Sequence, residues 1–97
     1  AYVFWFIEQL AASAVKLGIP KDAALKMAKQ TVLGSALLAS QSADPPETLG
    51  KNVTSKGGTT EAALKVFDEA KLAEHFARAV AAASKRGEEM GREFGGD

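Results

Sequence analysis

The chain has 97 residues, 46% hydrophobic and 25% charged, with twelve basic side chains balancing twelve acidic ones and no cysteine. That length holds one domain with one modest core and no second domain, and the composition argues against disorder throughout. The cancelled charge argues against general attraction to nucleic acid or an anionic membrane, and without cysteine there are no disulfides, thiolate nucleophiles or cysteine zinc sites.

The opening stretch, Ala1-Tyr2-Val3-Phe4-Trp5-Phe6-Ile7, is intensely apolar, begins without Met and reads as the body of a helix. Glu8 and Gln9 interrupt it after seven residues, too soon for a signal peptide, and no stretch approaches the ~18 apolar residues of a membrane span. The expectation is an excised domain whose preceding part runs straight into this helix. Over residues 2–17, Val3, Ile7, Leu10, Ala14 and Leu17 share one stripe, and Phe4, Ala11 and Val15 widen it. Tyr2, Trp5 and Phe6 point elsewhere, and a helix apolar nearly all round needs partners on more than one side.

Gly18 stands where a C-terminal cap belongs, and Pro20 suits the first position of the next helix, with Asp22 in its first turn. So short a link predicts an antiparallel helix pair. The second helix is expected from Pro20 or Lys21 to about Ser40. It places Ala24, Met27, Thr31 and Leu38 on one face and Leu25, Ala28, Val32, Ala36 and Ala39 on another. Gly34 in mid-helix costs about 1 kcal/mol against alanine, which close approach of another helix would explain. Lys21, Lys26 and Lys29 mark the solvated face.

Asp44-Pro45-Pro46-Glu47 offers a capping residue, proline in the first turn and Glu three residues after the cap, predicting a short third helix to about Lys51. A fourth helix, with Gly58 or Thr59 as N-cap and Glu61 in its first turn, is expected to about Glu69, with a break near Ala70. From Lys71 to about Phe94, the residues Leu72, Phe76, Ala79 or Val80, Ala83, Gly87, Met90 and Phe94 recur at helical spacing. This long last helix should fray towards Gly95-Gly96-Asp97, and its small-sided residues 79–83 predict tight packing. The fold class is all-α, a bundle of about five helices.

Between the third and fourth helices lies Val53-Thr54-Ser55-Lys56-Gly57-Gly58-Thr59-Thr60, where hydroxyls, two glycines and a cation come together. Gly57 and Gly58 lack Cβ atoms, so the backbone can take positive φ and a ligand can approach it closely. The first N–H groups of the fourth helix have no intrahelical acceptor, and a small anion there would also meet the hydroxyls of Ser55 and Thr60. On residue types alone, a plain glycine turn with an ordinary helix cap remains an open reading beside the anion site. His75, the only histidine, reads as a surface or half-buried residue rather than a catalyst, and Glu8, polar among aromatics, as a partly buried or solvated carboxylate. No metal-ligand spacing, dinucleotide fingerprint, Walker loop or nucleophile elbow is present.

In order and spacing the chain resembles the C-terminal domain of the pyrroline-5-carboxylate reductase family. The resemblance rests on Ala1-Tyr2-Val3-Phe4, Val15-Lys16-Leu17-Gly18-Ile19-Pro20, Gln30-Thr31-Val32-Leu33-Gly34, Asn52-Val53-Thr54-Ser55 and, most specifically, Gly57-Gly58-Thr59-Thr60. It covers almost the whole chain. One departure is Lys56, where the family usually has proline; it bears on loop geometry and on attraction for an anion.

The resemblance implies a helical domain that dimerises by interlocking helices, with dimers often assembling into decamers of five. It implies a separate Rossmann domain, absent from these residues, that binds NADPH or NADH. The implied reaction reduces 1-pyrroline-5-carboxylate to L-proline, the last step of proline biosynthesis, in the cytoplasm, with no nucleic-acid or membrane partner. By position it puts Ser55, Gly57, Gly58, Thr59 and Thr60 on the substrate carboxylate and Val53 beside the ring, with no catalytic, cofactor or metal residue in this chain. The chain alone is then expected to be inactive. Two rival readings are a free-standing helical interaction module and the helical domain of another two-domain dehydrogenase.

Overall fold

The computed structural model describes residues 1–95, with side chains described to residue 93. The last residues of the expected fray, Gly96 and Asp97, lie outside the described residues, as does the Phe94 side chain. Among the described residues there are five α-helices and no strand: α1 Tyr2–Lys16, α2 Lys21–Gln41, α3 Pro46–Asn52, α4 Thr59–Glu69 and α5 Leu72–Gly95. The all-α expectation holds, with helix boundaries within a residue or two of those read from the sequence.

The chain divides into two compact units, the first being Ala1–Gly50. There α1 ends in a Schellman motif, with Gly18 at φ +102°. The Gly18 N–H donates to the Val15 carbonyl at 3.0 Å and the Ile19 N–H to the Ala14 carbonyl at 3.1 Å, closing two orphan acceptors. Pro20 is the N-cap of α2 rather than its first residue: its backbone is extended, and its carbonyl accepts the first helical bond from the Ala24 N–H at 2.8 Å. With the chain turned so tightly, α2 doubles back along α1.

Ala11, Ala24 and Ala28 are buried between α1 and α2, and Ile7, Leu10, Ala14 and Ile19 gather round them. Methyl side chains at the crossing let the two helices come close. Ala24 and Ala28 stand four residues apart, so the stripe of α2 that meets α1 runs between the two faces expected, and Leu25, Met27 and Leu38 stay exposed. Only the middle of the α1 stripe is used, because Val3, Phe4, Val15 and Leu17 are exposed along with Tyr2, Trp5 and Phe6.

Three buried alanines bury too little surface to offset roughly 1–2 kcal/mol of backbone ordering for every residue. The uncovered aromatic start of α1, with Phe4 74% and Trp5 61% exposed, is where this single chain leaves its hydrophobic gain unrealised. Gly34 tells the same story. A Cβ built on it would meet nothing within 4 Å among the described residues, so the close approach expected there is not made within its own unit.

The third helix begins at Pro46, with Pro45 in the cap position one residue beyond the cap expected at Asp44. The Pro45 carbonyl accepts from the Thr48 and Leu49 N–H groups at 3.0 and 3.1 Å, while the Asp44 N–H donates to Ser42 Oγ at 3.0 Å. In the second unit, which starts at Lys51, α4 runs to Glu69 and touches α5 across a two-residue link. Lys71 in that link takes φ +57°, a left-handed conformation unusual outside glycine. Residues 72–88 of α5 are all exposed, so the tight packing expected for residues 79–83 is not seen among the described residues of its own unit. The far end of α5 carries exposed ion pairs, Arg86 with Glu89 at 3.3 Å and Glu93 at 3.6 Å, and Arg92 with Glu88 at 3.6 Å. Exposed pairs of this kind contribute at most about 1 kcal/mol each.

Candidate functional site

Among the described residues three hydrogen bonds help to shape the loop between α3 and α4. The Thr54 N–H donates to the Lys51 carbonyl at 3.1 Å, rounding off α3. The Gly58 N–H donates to the Ser55 carbonyl at 3.0 Å, closing a four-residue turn with Lys56 at negative φ and Gly57 at φ +74°. Negative then positive φ with this bond defines a type II turn. Finally, the Gly57 N–H donates to Glu61 Oε1 at 3.0 Å.

The two glycines serve different ends. At Gly57 a Cβ would meet nothing within 4 Å, and glycine answers the positive φ alone. At Gly58 the backbone is extended, with φ −90° and ψ −176°, but a Cβ would stand 3.1 Å from the Ser55 carbonyl oxygen and 3.3 Å from Ser55 Cβ. There glycine answers a close approach.

Gly58 is the N-cap of α4, and its carbonyl accepts the first helical bond from the Ala62 N–H at 3.2 Å. The N–H groups of Thr59, Thr60 and Glu61 therefore have no intrahelical acceptor, and the cap residue bonds none of them. Ser55, Gly57, Gly58, Thr59 and Thr60 thus meet in one turn and the first helical turn after it, whereas Val53 lies two residues upstream and is 69% exposed. The N–H groups of Gly57 and Gly58 are already engaged inside the loop. The donors left for a small anion are the Thr59, Thr60 and Glu61 N–H groups and the hydroxyls of Ser55, Thr59 and Thr60, all on exposed residues.

Sequence reasoning placed Glu61 in the first turn but missed its bond to Gly57. The signal was present: with Gly58 as N-cap, Glu61 is the third helical residue, the position from which a carboxylate reaches back to the entering backbone. Glu8 is exposed, not partly buried, and His75 is exposed on α5. Among the described residues no three His, Asp or Glu side chains gather as metal ligands, and no helix is long and apolar enough to cross a membrane. Among the described residues no strand leads into the glycine turn, which joins α3 to α4 instead.

A helical domain that leaves most of its large apolar side chains uncovered has the surface of a dimerising domain. Residues 1–90 match the family model for pyrroline-5-carboxylate reductase dimerisation, and the chain belongs to that family. It is 42% identical over 95 residues to the pyrroline-5-carboxylate reductase of Vibrio alginolyticus, covering 97% of this chain and 35% of that protein. It is 41% identical over 90 residues to the Arabidopsis thaliana enzyme, covering 93% of this chain and 33% of that protein. Among solved structures, the pyrroline carboxylate reductase of Plasmodium falciparum with NADP bound superposes with TM-score 0.89 at 31% identity, over 93% of this chain and 34% of that one. The Coxiella burnetii enzyme superposes with TM-score 0.86 at 41% identity, over 91% and 33%. The chain therefore spans about a third of the length of the relatives it matches.

Proposed function

We propose that this chain is the C-terminal, dimerising and substrate-carboxylate-binding part of a pyrroline-5-carboxylate reductase, which in intact form reduces 1-pyrroline-5-carboxylate to L-proline with NADPH or NADH. The observation that carries the reading is the glycine turn at the start of α4, whose unused donors fall within residues 55–61 of the stretch matched by the family. A negative charge is favoured there by the helix dipole and by aligned N–H groups. Holding the carboxylate orients the ring of the imine, and reduction of an imine by hydride is mainly a task of positioning. When bound, the nicotinamide cofactor supplies the hydride; it belongs to a Rossmann domain outside these residues. Val53, exposed beside the turn, offers an apolar contact to the ring.

The uncovered aromatic start of α1 and the open space beside Gly34 support an interlocked C2 pair, in which a second copy supplies the missing half of the core. A decamer of five such dimers, a cytoplasmic location, and the absence of nucleic-acid or membrane partners follow the same family reading. Thr60→Val in the intact enzyme tests the site. It is expected to raise KM for the imine by about fivefold or more, with helix content unchanged, because a hydrogen bond to a charged group is lost. An unchanged KM removes Thr60 from the carboxylate site. The 97-residue chain alone is expected to show no turnover, and measurable turnover by it overturns the division of labour.

A further inference from the structure

The type II turn at Ser55–Gly58 lacks the residue that ordinarily stiffens one. Position two of such a turn favours proline, whose ring presets φ, and here that position is Lys56, whose φ no ring fixes. The turn is short, exposed and closed by a single backbone bond, yet it must hold the Thr59 and Thr60 N–H groups in place for a ligand. One further contact fixes it. Glu61 Oε1 accepts from the Gly57 N–H at 3.0 Å, tying the left-handed residue of the turn to the first turn of α4.

We propose that Glu61 is a positioning residue: its carboxylate clamps the Gly57 N–H and so holds the turn in the shape that presents the Thr59 and Thr60 donors to the substrate carboxylate. This rests on the carboxylate-site reading above. The clamp acts through the loop and not by touching substrate; as a negative charge beside an anion site it repels the ligand. The bond must therefore contribute more by ordering the donors than its charge costs. What matters is the acceptor oxygen, which a glutamine amide also provides. The clamp and a proline at position 56 are alternative solutions to the same problem, since each restricts the same turn.

The test is steady-state kinetics of the intact enzyme, with the imine varied at saturating cofactor and Thr60→Val measured in parallel. Glu61→Ala is expected to raise KM for the imine about three- to tenfold with kcat changed less than twofold, the effect of losing one charge-assisted hydrogen bond at an exposed site. Glu61→Gln is expected to hold KM at or below the wild-type value, because it keeps the acceptor and removes the repulsion. Lys56→Pro added to Glu61→Ala is expected to restore KM to within about twofold of wild type, as a preset φ replaces the clamp. A KM unchanged or lowered in Glu61→Ala, while Thr60→Val raises it, overturns the clamp and leaves the carboxylate site standing. Failure of both Glu61→Gln and Lys56→Pro to rescue also overturns it, by assigning the loss to the charge or to the helix. If Thr60→Val and Glu61→Ala both leave KM unchanged, the site reading falls, and the clamp with it.

Discussion

Substituting the two glycines of the loop one at a time separates two physical reasons for having them. At Gly57, φ is +74° and a Cβ would have open space, so alanine there costs only the left-handed backbone, about 1–2 kcal/mol. At Gly58 the backbone suits any residue, but a Cβ at 3.1 Å from the Ser55 carbonyl oxygen pushes apart the pair whose hydrogen bond closes the turn. Asparagine tolerates the left-handed region and so should recover most of the loss at position 57, while at position 58 it should do no better than alanine. Expressed through the imine KM of the intact enzyme, the Gly57→Ala loss is about 5- to 30-fold if the misplaced turn must be restored on binding. The assay is KM for Gly57→Ala, Gly57→Asn, Gly58→Ala and Gly58→Asn, with the thermal midpoint of each recorded to separate folding from binding. Equal losses for Gly57→Ala and Gly57→Asn, or recovery by asparagine at position 58, would refute the reasoning.

Three further outcomes follow from the fold. Gly34→Ala relieves about 1 kcal/mol of helix cost and meets nothing in the single chain, so a monomer gains stability; in an interlocked pair built around Gly34 the added methyl weakens association instead. Urea unfolding over a range of protein concentrations distinguishes the two signs, and the account expects the weakened pair. Phe4→Asp with Trp5→Asp removes two side chains that this chain leaves uncovered, so the account expects loss of association, read by sedimentation; an undisturbed assembly contradicts it. Lys71→Gly releases a left-handed strain of about 1 kcal/mol between α4 and α5 and should raise the urea midpoint, and a fall would show that Lys71 is held there by something other than the backbone.

Helix existence and order were legible because apolar spacing, Gly18, Pro20, the Pro45-Pro46 step and the Gly57-Gly58 pair are local signals, each with a local cause. The left-handed Lys71 carried no such signal, since nothing in a lysine's chemistry marks it for positive φ. Which stripe of α2 meets α1 was missed for a different reason. In a helix so rich in alanine, several stripes are equally apolar, and only the crossing selects Ala24 and Ala28. The loop's membership was legible from residue types, but its internal bonding was not: that the Gly57 N–H is taken by Glu61, and the Gly58 N–H by Ser55, depends on the turn actually formed. Gly34 and residues 79–83 predicted close neighbours that the described residues of their own units do not supply. Small residues signal an approach without saying which chain makes it.

The most direct test of the central claim, that this domain is completed by a second copy of itself, is the solution mass of the 97-residue chain, measured by light scattering during size-exclusion chromatography over a wide concentration range. The account predicts twice the mass of one chain, or a multiple of that, persisting on dilution. A well-folded monomer at every concentration would contradict it, because three alanines would then be the whole buried core among the described residues.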